Sequence, residues 1–231
     1  MKRNHLEECG SIVSQKQRGQ RVGTRLWQRR KEHIGFRNFG IFSVGDRVEP
    51  NRKLGFTVES WKVCHISGII ALAKLNVDPD NTVSVIPSYD VPFHRLLQYD
   101  TEIHRIERGK FLRAWLDKKF TLTLVASSRA GDIVGYGVIQ RGAKCNIIAP
   151  LYGDSPNIIK TLLVKLISRA SNGEVIDMWA PVGSEVLQEL LSQNKSTLKV
   201  LYESTRMFFH RDMVVPLEKI LAIASAEIMP C

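Results

Sequence analysis

Apolar positions recur along this chain at two spacings, and their succession lays out a series of short strands and helices. Alternation or compact β-branched runs predict strands at 40–44, 57–63, 82–86, 121–127 and 133–140, the last two joined by the turn Arg129-Ala130-Gly131-Asp132. Helical spacing predicts helices at 91–101 and 107–118, with Phe93, Leu96 and Leu97 on one apolar face and Phe111, Leu112 and Trp115 on the other. The strongest amphipathic pattern covers 157–170, where Ile158, Ile159, Leu162, Leu163, Leu166 and Ile167 share a face. A strand at 145–151 and a loop at 152–156 precede it. A strand at 175–179, a helix at 184–192 and strands at 198–202 and 205–209 follow, and a loose tail is expected from Ala222.

Before residue 76 the pattern is shorter. Residues 10–34 read as strand, loop and helix, with Gly35 as the helix stop. A short helix at 46–54 contains Pro50. The polar, proline-bearing stretch at 75–81 reads as a linker, with 76–81 at its centre.

Composition narrows the function classes. The 231 residues carry a net charge of +10. Residues 1–75 hold 15 Lys and Arg against 6 Asp and Glu, so nearly all of the excess lies in the first third. An anionic partner belongs there: a phosphorylated cofactor, nucleic acid or an anionic membrane surface. The apolar run 66–75 is too short to span a bilayer and contains Lys74, so no membrane partner is expected. Four scattered cysteines form no C-x-x-C pair and the N-terminus lacks an apolar signal core. These features fit a reducing, intracellular and cytoplasmic setting without a metal site.

The chemistry concentrates at K-Q-R-G-Q-R-V-G-T, residues 16–24. Strand, glycine loop and helix present free backbone N–H groups to a phosphate, and Arg18 and Arg21 add charge. Gly19 and Gly23 permit close approach. The run is neither a Walker loop nor a G-x-G-x-x-G fingerprint. A generic strand–glycine–helix turn with exposed arginines would look similar.

The order β-α-α-β-β-β-α-β-α-β-β over 80–215 resembles the GCN5-related N-acetyltransferase family. F-L-R-A-W-L (111–116), I-V-G-Y-G-V (133–138), I-A-P-L-Y-G-D-S-P (148–156) and E-S-T-R-M-F (203–208) carry the likeness. The segment S-I-V-S…R-G-Q-R-V-G-T-R-L-W resembles the fourth strand, pyrophosphate loop and third helix of the same family, and N-R-K-L-G-F (51–56) the end of its fourth helix. The family loop, Q/R-x-x-G-x-G/A, aligns with Arg18, Arg21 and Gly23, so arginine stands where the family has its central glycine.

The resemblance implies an α/β (α+β) fold with a mixed central sheet flanked by helices, preceded by a partial unit of the same kind. Residues 1–75 would form the partial unit, 76–81 a linker, 82–215 a complete domain of the type found C-terminally in tandem acetyltransferases, and 216–231 a tail. It also implies acetyl-CoA as co-substrate and direct attack of an amine on the thioester. In the first unit the contacts would be Ile12, Val13 and Ser14 for the pantetheine arm, then Arg18, Gly19, Gln20, Arg21, Val22, Gly23 and Thr24 for the pyrophosphate. In the second they would be Ala149, Pro150 and Leu151, then Tyr152, Gly153, Asp154 and Ser155. Asp154 or Ser155 could equally serve as a plain helix cap.

The tyrosine that many family members use to protonate the departing thiolate falls at Asn51, and no catalytic residue is assigned. His94, His104, Glu102 and Glu107 could line an acceptor pocket or a solvated helix face. Tyr202 fits strand packing, and Cys145 a small core residue. The acceptor is expected to be a small-molecule amine rather than a protein lysine. A non-catalytic binding or regulatory member of the fold is the alternative. Nucleic-acid binding ranks behind both, because the early aromatics are few and the arginines already have a use at the pyrophosphate.

Overall fold

The computed structural model describes residues 13–71, 83–142, 144–169 and 173–224. Nine strands form a single mixed sheet in the order β1-β8-β2-β7-β6-β5-β4-β3, with β9 added against β6. The elements are α1 (Val22–Ile34), β1 (Gly40–Val44), α2 (Val48–Lys53), β2 (Val58–Gly68), β3 (Val83–Pro87), α3 (Phe93–His104), α4 (Gly109–Leu116), β4 (Thr121–Ser128), β5 (Ile133–Arg141), β6 (Asn146–Gly153), α5 (Pro156–Ile167), β7 (Ile176–Pro181), α6 (Glu185–Gln193), β8 (Leu198–Phe208) and β9 (Ile220–Ala222). The mixed sheet flanked by helices is the architecture anticipated from the sequence.

Strands β3 to β6 form an antiparallel meander. Alternation along it feeds two cores, one on each face. One packs α5 and α6 through Leu162, Leu163, Leu166 and Leu187 against Ile148, Leu151 and Met178. The other packs α3 and α4 through Leu96, Ile103, Leu112 and Trp115 against Val125, Tyr136 and Val138. A third cluster holds α1: Trp27 contacts the rings of Phe39, Phe56 and Phe209 at centroid distances of 5.7–6.2 Å, and Ile34 is buried beside them.

The early and late parts of the chain interleave. The succession α1-β1-α2-β2 is repeated as α5-β7-α6-β8, each unit running helix, strand, helix, strand. β2 and β8 pair antiparallel at the centre, β1 flanks β8 and β7 flanks β2. Each repeat therefore lends its last strand to a position between strands of the other, an approximate two-fold arrangement about the β2–β8 pair. Residues 76–81, expected as a linker, lie outside the described residues.

Three elements differ from expectation. The last two expected strands are one, β8, because the chain keeps β2 as a partner while β1 joins its second half. Residues 10–14 were expected as a strand: 10–12 lie outside the described residues, and Val13 and Ser14 are irregular backbone. The tail expected from Ala222 begins instead within β9, and Ile220, Leu221, Ala222, Ile223 and Ala224 are all buried, while 225–231 lie outside the described residues. Its apolar run, I-L-A-I-A, finds a slot in the sheet that local pattern could not reveal.

Candidate cofactor site

Helices α1 and α5 occupy matching places in the two repeats, and their N-termini are built for different surroundings. At α1, residues Gln15–Gln17 make a tight helical turn, and Arg18, Gly19 and Gln20 turn the chain into the helix. Gly19 has φ +81°, a Cβ there would meet nothing within 4 Å among the described residues, and residues 14–21 are all exposed. Arg21 is the residue before the helix and adopts the left-handed conformation, φ 56° and ψ 17°. That backbone geometry is the physical reason glycine suits this position, and arginine accepts strain to hold it.

Val22, Gly23 and Thr24 form the first turn of α1. No side chain caps them and no acidic residue lies among them. Their N–H groups and the positive end of the helix dipole follow directly on the exposed Arg18 and Arg21. Arg18 also ties the loop down, donating from Nε to the Val13 carbonyl at 3.3 Å, and Val13 lies against Gly23. Ile12 lies outside the described residues. The donor set suits a pyrophosphate: uncapped backbone N–H groups, two guanidinium groups and open space.

At α5 the corresponding groups are already engaged. Ser155 Oγ accepts from the Ile158 N–H at 3.3 Å, and Pro156 at the first helical position has no N–H to offer. Asp154 accepts from Lys219 Nζ at 3.0 Å and from Tyr99 Oη at 3.2 Å. A cavity in front of this helix is lined by Asp154, Glu185 and Glu218, a field that repels phosphate. Ala149, Pro150, Leu151, Tyr152 and Gly153 lie in buried β6. β6 and β7 run parallel only at Asn146–Ile176 and Ile147–Asp177 and then part. β9 occupies the opening: Leu151 pairs with Ala222, Tyr152 pairs with Ile220, and the Ile223 N–H donates to the Trp179 carbonyl at 2.9 Å. Among the described residues, Val13, Ser14 and Arg18 to Thr24 gather around the exposed start of α1, and Ala149 to Ser155 lie around the start of α5, which the chain itself packs.

The other candidate residues are distributed between core and surface. Asn51 donates from Nδ2 to the buried Ser43 Oγ at 2.9 Å, so its amide is committed to β1. His94, Glu102 and Glu107 do not join a common cluster, whereas His104 is buried with Nε2 3.0 Å from Tyr152 Oη. Cys145 lies beside Asp177, and its thiol is pushed up by burial and that carboxylate. Tyr202 stands on β8 with its ring edge-on to His65 at 5.1 Å.

Beneath α3 lies a buried polar network that sequence reasoning did not anticipate. Arg108 grips Asp100 through Nε and Nη2 at 2.6 and 2.7 Å, and Tyr136 donates to the same carboxylate at 2.5 Å. Burial opposes ionisation of Asp100, but the hydrogen bonds and charge of Arg108 prevail and hold its carboxyl below the usual range. Burial, reinforced by Arg108, drives His104 well below the ordinary histidine range, and burial pushes the Tyr152 phenol up to about 12. His104 is therefore neutral at pH 7. No periodic signal pairs residues 100 and 108; the partnership exists only because the α3–α4 turn folds one back on the other.

Comparison with known proteins agrees with this architecture. The family model described as "Acetyltransferase (GNAT) domain" matches residues 96–220, more than half of the chain. The chain belongs to the GCN5-related N-acetyltransferase superfamily. It is similar in structure to a protein from Pyrococcus horikoshii described as a candidate acetyltransferase, with TM-score 0.70, 16% identity, and coverage of 94% of this chain and 69% of that one. A GCN5-related N-acetyltransferase from Kribbella flavida superposes with TM-score 0.58 at 16% identity, covering 87% of this chain and 50% of that one, so the present chain spans about half of its length. A GCN5-related glucosamine N-acetyltransferase region of a fungal multi-domain β-N-acetylglucosaminidase superposes with TM-score 0.57 at 11% identity, covering 86% and 29%. No curated protein matches the sequence. Among the described residues, no helix is long and apolar enough to cross a membrane, and no cluster of His, Cys, Asp and Glu could hold a metal ion.

Proposed function

We propose that the protein is an acetyl-CoA-dependent N-acyltransferase whose single cofactor site is the N-terminal loop and helix, Arg18 to Thr24. The contrast between the two helix starts carries this reading: α1 is uncapped and flanked by arginines, whereas α5 is capped by Ser155 and faces carboxylates. Membership of the acetyltransferase superfamily supports the reaction class.

Acetyl-CoA, when bound, supplies the thioester carbonyl that an amine attacks, with the C–N bond forming and the C–S bond breaking. The protein's part is to bind and orient. Backbone N–H groups of Val22, Gly23 and Thr24 and the guanidinium groups of Arg18 and Arg21 hold the pyrophosphate. Asn51 stands at the family's acid position and its amide is not an acid, so the amine nitrogen loses its proton to water and the departing thiolate takes one from water. The acceptor is a small-molecule amine, and the setting is intracellular and cytoplasmic. The chain is organised as a partial unit, 1–75, a linker, 76–81, and a second unit, 82–215, each carrying one of the interleaved repeats.

Calorimetric titration with acetyl-CoA tests the assignment. The wild-type chain is expected to bind. Gly19→Glu, which places a carboxylate and a strained φ in the loop, is expected to weaken binding at least tenfold with the fold intact. Unaltered binding by folded Gly19→Glu refutes the placement, and no binding by folded wild type refutes the enzyme reading.

A further inference from the structure

At the end of the sheet where β4 begins and β5 ends, Phe120 stands in an unusual state. Its φ is +60°, a conformation that bulky side chains adopt only under strain, and its ring is 79% exposed. It joins none of the hydrophobic clusters and makes no ring contact among the described residues. Its carbonyl accepts the Arg141 N–H at 3.0 Å, which fixes it beside the end of β5. An aromatic ring held in strained backbone and left in water gains nothing from packing within this chain.

The ring borders a cavity of about 210 Å³, which adjoins a second of about 340 Å³ through the shared residues Arg141, Asn146 and Glu174. Arg169 lines the first and Lys144 the second. Among the described residues, Glu174 is the one carboxylate lining them. It is engaged by Asn146 Nδ2 at 2.6 Å and lies 3.9 Å from Arg141 Nη2. Asn146 itself is buried. Three cations against one carboxylate leave a charge of +2 around the pair of cavities, matching a phosphate dianion. Helix α5, 12 residues or about 18 Å long, separates this place from its own N-terminus.

We propose that these cavities form a second ligand site for a nucleoside monophosphate. The base stacks on Phe120 and the phosphate lies among Arg141, Lys144 and Arg169. Stacking tolerates any base, since every base presents a π-face.

AMP is the probe, titrated calorimetrically into the full chain, with adenosine and ribose 5-phosphate as the ring and phosphate controls. AMP is expected to bind, and each control to bind at least tenfold more weakly. Phe120→Gly relieves the backbone strain, so it is expected to keep or raise the melting temperature while weakening AMP roughly tenfold. Arg141→Glu is expected to abolish AMP binding, and Gly19→Glu to leave it unchanged, which separates this site from the proposed cofactor site. Because acetyl-CoA also carries an adenine nucleotide, AMP binding is repeated with acetyl-CoA saturating, and no displacement is expected. The proposal is overturned if folded wild type does not bind AMP, if Phe120→Gly binds it unchanged, if ribose 5-phosphate binds as well as AMP, or if acetyl-CoA displaces AMP.

Discussion

Acidification from pH 6.5 to 5 is expected to destabilise this protein through one buried imidazole. His104 is 6% exposed and hydrogen-bonded to Tyr152, and its pKa in the folded state lies well below the ordinary value because of burial and then Arg108. In the unfolded chain it takes up a proton near pH 6.5. A folded pKa below the unfolded one means that the unfolded state binds more protons, so this group's stability is complete above about pH 6.5 and is lost as the pH falls. The limiting slope is about 1.4 kcal/mol per pH unit for one proton, giving about 2 kcal/mol at pH 5. For a chain of this size that is a melting-temperature drop of about 4–8 °C. Asp100 does not contribute in this window: its depressed pKa keeps it ionised, and its stabilisation is lost only below the ordinary carboxylate range. The assay is thermal unfolding of wild type and His104→Gln between pH 7.5 and 5. The amide keeps a hydrogen bond to Tyr152 but cannot take up the proton, so the mutant curve is expected to be flatter by that amount. Parallel curves for the two proteins would refute the assignment.

Other substitutions separate local strain from ligand contacts. Arg21→Gly removes left-handed strain of about 1–2 kcal/mol at a cost in chain entropy of about 0.5–1, so melting should rise by about 2 °C while acetyl-CoA affinity falls, both read by calorimetry. Ser155→Ala removes the α5 cap and should cost about 1 kcal/mol in denaturant unfolding, with acetyl-CoA affinity unchanged. Gly68→Ala should cost about 3 kcal/mol by the same method, because φ is +150° and the new Cβ would sit 2.0 Å from the Thr197 carbonyl oxygen.

Local sequence determined most individual elements of this protein. Residues 40–44 are a short apolar run with a β-branched residue at each side and form β1, and the apolar stripe from Ile158 to Ile167 gives α5 one face to bury. The glycine loop at 16–24 was also legible, since φ-permissive residues and arginines before a helix have a local meaning. Tertiary structure decided how those elements were shared. That β2 lies between β7 and β8, that Arg108 closes on Asp100, and that β9 fills the opening between β6 and β7 all depend on partners far apart in the chain. A strand's hydrogen-bonding edges carry no side-chain signature of the partner, so pairing is settled only when the two cores close. The same packing distinguished the two helix starts: both follow glycine-bearing turns in the sequence, but only the fold shows one exposed with arginines and the other capped by Ser155 at the end of a strand that β9 pairs with.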